Sequence, residues 1–504
     1  MQTEDRSKKI RVLYDGQCPM CSTIVHSVNT SSQNGAFELN DMHAATDLPV
    51  DRATLEKDMY VIDEEGKVFK GAEAILKIID QYPSWKLVST IGRLPFVKPL
   101  LPIGYGIISR NRRFLFGLAS RIFWLKVTVL LGFLVGLILS RNLWLSSRSY
   151  PFVPLVPILQ RIPLISFPLD WFLFASLLVF GVISLVSSRP QKWIWSLVGV
   201  VSFLCVLDQT RWQPWVFQYS FILIVLAFFS WKSEDLVGRL RTLNTARCIV
   251  SSTYVFSGLQ KLNSYFVAGI FPFLFRPITS VVPSFTVPLF LLGTIAPCIE
   301  LALGIGLLTR RFRRASVILA ILMHLFVLAL IGPFGLNINN VVWPWMLAMI
   351  ACDVLLFVGA EGFSWREVIW PKSPHPFQIV VMVLFGILPI LSFFNAWDSY
   401  LSSALYSGNI TSAEVHLSDE EVMQAPRRIQ KYVQRVAHDE NVLSFGAWSM
   451  GELNVPPYPE TRVFKAIGKD LCLHVRDASE MRLVIQERRM FLSAPSTTYV
   501  CGDL

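Results

Sequence analysis

Hydrophobic and polar positions divide the chain into three parts. Before Leu118 and after Asn395 the two kinds of residue are mixed, as they are in soluble domains. Between these positions lie nine mainly apolar segments that could cross, or nearly cross, about 30 Å of hydrocarbon. The pattern therefore predicts a soluble N-terminal domain at 1–117, a membrane domain at 118–395 and a soluble C-terminal domain at 396–504.

The nine apolar segments differ in length and polarity. They are 122–140, 169–187, 193–207, 215–230, 248–262, 287–308, 315–331, 341–358 and 377–394. The third and fifth are short, and the fifth carries Ser257, Gln260 and Lys261. A helix this polar is not expected to face lipid, so we expect it inside the bundle. The predicted fold class is an α-helical polytopic membrane bundle of about nine spans, with an N-terminal α/β domain and a small C-terminal α+β domain.

The N-terminal pattern predicts a small α/β domain. An apolar run at 10–14 predicts a buried strand, and the stretch 22–28 predicts a helix. Glu64-Glu65-Gly66 lies between two strand-like runs, which is typical of a hairpin. The other predicted elements are strands at 36–40, 59–63 and 67–70 and a helix at 72–82. This order of elements indicates a thioredoxin-like layout.

The C-terminal part combines short strand-like runs with one helical stretch. Residues 471–475 and 482–486 are predicted as strands, and a helix is predicted over 420–437. Cys472 and Cys501 lie in this domain, and whether they pair is left open by the sequence.

Composition and charge agree with a membrane protein. The 504 residues are 53% hydrophobic and 16% charged, against about 25% charged residues in soluble proteins. The net charge is +10, but the Lys and Arg residues stand beside the apolar segments. There they set orientation, so no nucleic-acid partner is expected.

The loop charges predict how the chain is oriented. One set of loops is rich in Arg and Lys, and its strongest marker is Arg310-Arg311-Phe312-Arg313-Arg314. The positive-inside rule places these loops and the N-terminus in the cytoplasm and the C-terminus outside it. We therefore expect an integral protein of a plasma or inner membrane whose partners include the lipid bilayer.

Two cysteines follow the first predicted strand at a spacing that suits redox chemistry. Cys18 and Cys21 stand three positions apart between a predicted strand and a predicted helix. The N-terminus of a helix stabilises a thiolate, and the second thiol can then resolve a mixed disulfide. The alternatives are a zinc half-site with His26 and His43, which lacks a full set of four ligands, and a pair without a chemical role.

The residues around this pair resemble a known family. Asp15-x-x-Cys18-x-x-Cys21 within Tyr14–Cys21 looks like the DCC-type thiol–disulfide oxidoreductase domain, and the resemblance continues through 61–71 to about residue 117. It implies a thioredoxin-like fold and protein-disulfide reductase activity with no cofactor required. Cys18 would then attack, Cys21 would resolve, and Asp15 would take the Cys21 proton or cap the helix. The implied partner is a protein disulfide or a thioredoxin-type redox protein.

Ionisable residues inside the apolar segments are a second candidate for chemistry. Lys261, Glu300 and His324 each lie within or at the end of a predicted span. Such residues are functional hypotheses by default, because a charge in hydrocarbon is costly. The alternatives are a lysine that reaches the membrane interface and a polar cluster that fixes helix packing.

The sequence around Lys261 also resembles a family. Ser257-Gly258-Leu259-Gln260-Lys261-Leu262-Asn263 looks like the lysine motif of the vitamin K-dependent γ-carboxylase-like (HTTM) membrane domain, with a DoxX or MauE-like bundle as a related possibility. The resemblance implies that Lys261 deprotonates a vitamin K-like hydroquinone. Glu300 and His324 lie near the middles of adjacent predicted spans and are candidates for a proton path with Lys261 or for a quinone-head site. The chain departs from the family at Trp215, which stands near the position where the carboxylases have a histidine.

Three functions follow from these patterns. The first is an integral membrane thiol–disulfide oxidoreductase, whose dithiol is coupled to a quinone in the bundle in one version of the hypothesis. The second is a quinone- or lipid-modifying enzyme with Lys261 as its base. The third is a transporter or assembly factor with a regulatory dithiol.

Overall fold

The chain forms two compact units. The computed structural model describes residues 10–15, 25, 37–44, 58–82, 89–90, 92–94, 97–99, 101–102, 105–106, 118–159, 162–229, 236–282, 286–359, 363–487 and 496–504. One unit comprises Met1–Trp124 with Gly359–Glu361, and the other comprises Leu125–Val358 with Gly362–Leu504. The second unit thus holds most of the apolar helices together with the C-terminal residues.

A four-stranded mixed sheet forms the centre of the first unit. Its strands are β1 (Ile10–Tyr14), β2 (Phe37–Asp41), β3 (Tyr60–Ile62) and β4 (Val68–Lys70), in the order β2-β1-β3-β4. β1 is parallel to β2 and antiparallel to β3, and β3 and β4 form an antiparallel hairpin. Helix α1 (Ala72–Ile79) follows the hairpin.

Both faces of β1 are buried, which explains its unbroken apolar run. On one face Val12 packs in a cluster with Val61 and Ile78, while on the other Leu13 packs with Met42 and Tyr60. The predicted small α/β domain is confirmed, including the hairpin and the helix that begins at Ala72. Of the helix predicted at 22–28, only Val25 is described, and it is helical and buried.

Long apolar helices dominate the second unit. They are α2 (Leu118–Leu139, which begins in the first unit), α3 (Leu169–Val186), α4 (Gln191–Leu207), α5 (Pro214–Phe228), α6 (Leu236–Gln260), α7 (Thr286–Leu308), α8 (Arg313–Ile331), α9 (Val342–Phe357) and α10 (Pro376–Phe394). Shorter helical turns lie at Arg141–Trp144, Gln209–Arg211, Phe266–Ile270, Phe271–Leu274, Arg276–Thr279 and Trp365–Ile369. Within α10 the turn Val383–Ile387 is π-helical.

Five of these helices in the described part of the chain are long and apolar enough to cross a membrane. These are Ser120–Leu139 of α2, Leu169–Val186, Leu289–Leu308 of α7, Arg313–Ile331 and Pro376–Phe394. They indicate a membrane protein, but the predicted count of about nine spans is not confirmed. Three further apolar helices, α4, α5 and α9, have only 17, 15 and 16 residues, whereas a span needs about 20.

Helix α6 is long but polar, and it lies inside the unit. Within the predicted segment 248–262, Ser251, Ser252 and Gln260 are buried, and just before it buried Arg247 donates to the Leu356 carbonyl. This burial agrees with the prediction that the polar segment does not face lipid.

Small residues allow α6 and α7 to pack closely. An added methyl group at Gly258 would lie 2.5 Å from the Leu301 amide nitrogen, and one at Gly304 would lie 2.7 Å from Val255. Contacts of this kind need backbones that approach each other directly. The close approach fixes the end of α6 against the middle of α7.

The C-terminal residues form an antiparallel five-stranded sheet with two helices. Its strands are β5 (Ser412–Leu417), β6 (Val433–Ala437), β7 (Glu440–Ser444), β8 (Arg482–Gln486) and β9 (Thr497–Val500), in the order β6-β7-β5-β8-β9. The helices are α11 (Phe445–Leu453) and α12 (Thr461–Cys472), with shorter turns at Asp419–Gln424 and Arg427–Gln430. The predicted α+β character and the strand at 482–486 are both present.

Two C-terminal predictions are wrong. The helix predicted over 420–437 breaks at Pro426, and its last part is strand β6, which pairs with β7. Residues 471–475 do not form the predicted strand. The first two of them end α12, in which Phe464, Ile467 and Leu471 form one buried helical face. The sequence left the pairing of Cys472 and Cys501 open, and in the structure a disulfide joins them.

The C-terminal residues pack on the ends of the helices in the second unit. Asn454 donates to the Leu139 carbonyl, and Arg462 binds both Asp398 and Gln209. Trp448, fully buried, donates to the Pro151 carbonyl. These bonds join the C-terminal sheet and helices to one end of the bundle.

Candidate functional site

The first candidate site lies at the carboxyl edge of the N-terminal sheet. Because β1 and β2 are parallel, both end at this edge, where Asp15 follows β1 and His43 follows β2 by two residues. Asp15 Oδ1 lies 3.1 Å from His43 Nε2. The Asp15 side chain is fully buried, whereas 31% of the His43 side chain is exposed. The pair therefore links a buried carboxylate to solvent.

The Asp41 carboxylate acts on two neighbouring groups at this edge. Burial, together with the Asp41 carboxylate, raises the pKa of the Tyr14 hydroxyl above its usual value. The His43 amide donates to Asp41 Oδ1 at 3.0 Å, which holds the turn after β2 in place.

The predicted dithiol, Cys18 and Cys21, lies outside the described residues, as does His26. Of the three predicted catalytic residues in this domain, the structure therefore describes Asp15 alone. His43 appeared in the sequence only as a candidate zinc ligand, and the structure makes it the hydrogen-bond partner of Asp15. Both residues follow strands that are parallel and end at the same edge, and this is the signal from which their contact could have been predicted.

The second candidate site is a cavity of about 440 Å³ in the second unit. Helices α6, α7, α8 and α9 form much of its wall, and the turns at 266–275 and 403–406 complete it. Most of the wall is aliphatic or aromatic, with residues such as Phe271, Leu322 and Met349. Pockets of this size and composition are typical of small-molecule sites.

An ion pair stands at the polar end of the cavity. Lys261 Nζ lies 2.8 and 3.0 Å from the two carboxylate oxygens of Glu300 and also donates to Ser257 Oγ at 2.5 Å. Both charged side chains are 14% exposed. The close packing of α6 on α7 at Gly258 brings these two residues together. Each charge is therefore matched within the cavity itself.

A second polar chain reaches the same cavity. The Tyr254 hydroxyl lies 2.6 Å from His324 Nε2 and donates to Asp353 Oδ2 at 2.6 Å. Tyr254 and His324 line the cavity, and Asp353 lies behind them, fully buried on α9. Tyr254, Ser257 and Lys261 are spaced three and four residues apart, so they share one face of the α6 end.

Hydrogen bonds join Tyr406 of the cavity wall, and Asn409 near it in the chain, to residues of the bundle. Tyr406 lines the cavity and accepts a bond from Asn339 at 2.6 Å. Beside it, Asn409 donates to Gln260 at 2.6 Å, and Gln260 donates to Ser392 at 2.7 Å. Asn339, Gln260 and Asn409 are each at most 3% exposed.

The structure brings the three predicted membrane residues to one cavity, although not as a single cluster. Lys261 and Glu300 form the ion pair, while His324 contacts Tyr254. Sequence reasoning missed Tyr254, Ser257 and Tyr406 as parts of the site. The spacing of Tyr254 and Ser257 from Lys261 could have indicated the first two. Trp215, the departure from the carboxylase-like pattern, packs against Phe133 and Trp144 instead of lining the cavity.

Comparison with known protein families identifies one part of the chain. Residues 12–118 match the DCC1-like thiol-disulfide oxidoreductase family. The matched region includes Asp15, Cys18, Cys21 and His43, and it confirms the predicted resemblance of the N-terminal domain. No curated protein matches the chain, and no solved structure matches it.

Proposed function

We propose that the protein is an integral membrane thiol–disulfide oxidoreductase of the protein-disulfide reductase type. The observation that carries this proposal is the match of residues 12–118 to the DCC1-like family. The Asp15–His43 pair supports it, because a buried carboxylate bonded to a partly exposed imidazole can transfer a proton. The five long apolar helices support the membrane location.

The proposed reaction uses the two thiols in turn. The Cys18 thiolate attacks one sulfur of a protein disulfide, so that a mixed disulfide forms and the other substrate sulfur leaves as a thiolate. Cys21 loses its proton and attacks Cys18, which releases the second substrate sulfur and leaves a Cys18–Cys21 disulfide. The substrate gains two electrons, the dithiol loses two, and a thioredoxin-type partner restores the dithiol by the reverse exchange.

Asp15 is the proposed acceptor of the Cys21 proton. It stands six residues before Cys21 in the chain, a stretch that spans at most about 20 Å when fully extended. His43, bonded to Asp15, would then pass the proton to water. This role requires no metal or other cofactor at the thiols.

Reduction of insulin disulfides by the purified full-length protein tests the proposal. With reduced glutathione as the electron donor and its rate without the protein subtracted, we expect turnover by the wild type and none by Cys18→Ser. Cys21→Ser should instead accumulate a mixed disulfide that is visible on a non-reducing gel, because attack remains and resolution is lost. Cys298→Ser, which changes an exposed cysteine of α7, is the matched control. Equal turnover by all four proteins would contradict the proposal.

A second function is favoured by the Lys261–Glu300 pair in the cavity. We propose as the alternative a quinone- or lipid-modifying membrane enzyme in which Lys261 acts as the base toward a vitamin K-like hydroquinone. The ion pair and Ser257 support it, since together they can exchange a proton with a bound hydroxyl group. In a coupled version, the dithiol would reduce a quinone held in the cavity, with Glu300 and His324 beside its head.

Separate variants distinguish the two functions. If Lys261 is the catalytic base, Lys261→Ala abolishes quinol-dependent turnover while Cys18→Ser retains it. If the dithiol alone carries the chemistry, Cys18→Ser abolishes disulfide reduction and Lys261→Ala retains it. Loss of quinone-dependent thiol oxidation in both variants would support the coupled version.

A further inference from the structure

The cavity in the second unit has a wall that is exposed on the outside of the bundle. Leu319, Leu322 and Phe326 lie on one face of α8, and all three line the cavity. They are nevertheless 48%, 56% and 45% exposed. Residues that both line a cavity and are exposed to this extent mark the place where the cavity opens.

Helix α7 supplies the opposite edge of this opening. Ile299 lines the cavity and is 46% exposed, and it directly precedes Glu300 of the ion pair. Both α7 and α8 belong to the helices that are long and apolar enough to span a membrane. The opening between them is therefore bordered by apolar side chains at the depth of the spans and would face lipid.

Among the described residues that line the cavity, none apart from Ile299 and the three on α8 is exposed to a comparable extent. In the C-terminal part of the wall, buried Asn339 donates to Tyr406, and buried Asn409, three residues further on, donates to buried Gln260. Leu405, which also lines the cavity, is 9% exposed. Breaking these bonds would leave buried polar groups without partners, which is costly. A ligand from the aqueous side would have to cross this layer, whereas one from the bilayer would not.

The polar groups of the cavity favour a particular kind of head group. Lys261 already has its charge matched by both oxygens of Glu300. An anionic head would compete with Glu300 and leave a carboxylate unpaired in an apolar surrounding, and a cationic head would do the same to Lys261. A neutral head can bond to Lys261, Tyr254 and His324 without breaking the pair.

We propose that the cavity admits a membrane-dissolved amphiphile sideways, between α7 and α8, and holds its uncharged hydrogen-bonding head beside Lys261 and Tyr254. Its apolar tail leaves through the opening lined by Leu322 and Phe326. The volume of about 440 Å³ accommodates a ring-sized head and the first part of a tail. The inference concerns binding alone, and it holds whether or not the dithiol exchanges electrons with the occupant.

Photoaffinity labelling of the full-length protein in phosphatidylcholine vesicles tests the route. The probe is a long-chain 4-alkylphenol with a diazirine near its head, and labelled peptides are identified by mass spectrometry. We expect labelling of the cavity-lining peptides of α7 and α8. Leu322→Trp should narrow the opening and raise the dissociation constant of the probe about tenfold. Labelling of these peptides should fall by about the same factor.

Leu325→Trp is the matched control for the opening. Leu325 is on the same helix and is 48% exposed, but it does not line the cavity. Its labelling should equal that of the wild type. Equal labelling of both tryptophan variants, or labelling spread over the lipid-facing helices without preference, would overturn the proposal.

Competition and a head-group variant test the chemistry of the occupant. Unlabelled alkylphenol should compete, whereas hexadecyl phosphate and hexadecyltrimethylammonium should not. Tyr254→Phe should weaken labelling. Because it also removes the bonds to His324 and Asp353, its thermal unfolding is measured on the same sample to separate loss of binding from loss of stability. Effective competition by the phosphate or by the ammonium compound would overturn the neutral-head assignment. Insulin reduction is measured on the same samples, so a failure here is separable from a failure of the dithiol proposal.

Discussion

At the scale of single residues, the Asp15–His43 contact supplies the proton path that we propose for the dithiol domain, and the motif alone does not reveal this contact. The motif contains Asp15 and both cysteines within seven positions, but His43 comes from the end of the next strand. A carboxylate without exposure depends on such a partner to exchange protons with water. The hydrogen bond at 3.1 Å supplies one.

Replacing His43 should slow the resolving step more than the attacking step. In His43→Gln the proposed path from Asp15 to water through the imidazole is interrupted, so we expect resolution of the mixed disulfide to slow by about a hundredfold, the low end of general-base effects. Rapid acid quenching followed by non-reducing electrophoresis measures the mixed disulfide. Glu38→Gln, on the exposed part of β2, is the control and should behave as wild type. An unchanged rate of resolution in His43→Gln would remove the proposed role of the imidazole.

The Lys261–Glu300 pair permits a stability test at the same scale. Lys261→Met leaves a carboxylate without its ammonium partner, and breaking a buried pair costs about 3–5 kcal/mol. Because both side chains are 14% exposed, we expect the lower end of that range, about 3 kcal/mol. The double variant Lys261→Met/Glu300→Leu should recover most of the loss, as measured by denaturant unfolding. Equal stability of wild type and the single variant would show that the pair does not contribute.

At the scale of elements, the hydrophobic pattern predicted β1, the β3–β4 hairpin and α1. The apolar run of β1 and the face of α1 followed directly from spacing. The failures came where tertiary pairing outweighed local pattern, as in β6, which the pattern made helical and which pairs with β7. The short apolar helices show the same limit, because hydropathy does not fix whether a segment of 15 to 17 residues spans a bilayer.

The candidate site was likewise only partly predictable. Lys261, Glu300 and His324 stood out because ionisable side chains are rare in apolar segments. Their contacts could not be predicted, since Lys261 and Glu300 are 39 residues apart in the chain and meet only through helix packing. The bond between Asp353 and Tyr254 likewise depends on the arrangement of α6 and α9.

The packing of α6 on α7 predicts a contrast between two glycines. Gly258→Ala should destabilise the protein by about 1–3 kcal/mol, because the new methyl group meets backbone atoms of α7 and overpacks the contact. Gly199→Ala on α4 has open space around the added methyl and should be neutral or slightly stabilising. Thermal unfolding of both variants in the same detergent measures the contrast. Equal destabilisation by the two substitutions would contradict the close approach of α6 and α7.

At the scale of the whole molecule, the disulfide and the proposed dithiol require compartments of opposite redox character. A Cys472–Cys501 disulfide persists in an oxidising compartment, whereas the proposed reductase needs Cys18 and Cys21 reduced. The two requirements are met together if the membrane separates the two ends of the chain. The predicted orientation, with the N-terminus cytoplasmic and the C-terminus outside, provides that separation.

The disulfide yields a prediction about stability and orientation. It closes a loop with a sequence separation of 29 residues, so Cys472→Ser/Cys501→Ser should lose about 3–4 kcal/mol of stability. Thiol trapping in intact cells with a membrane-impermeant reagent checks the orientation in the same protein. Under the predicted orientation, the impermeant reagent should react at Cys472 and Cys501 only after external reduction and should not reach Cys18. Labelling of Cys18 by that reagent would contradict the orientation.

The measurement that tests the central claim most directly is a redox titration of the purified full-length protein, with thiol trapping at Cys18 and Cys21. We predict a reversible two-electron couple between about −220 and −320 mV, the range of the cytosolic glutathione poise. Cys18→Ser and Cys21→Ser should each abolish the transition. The absence of a reversible couple, or its persistence in both variants, would contradict the assignment of the protein as a thiol–disulfide oxidoreductase.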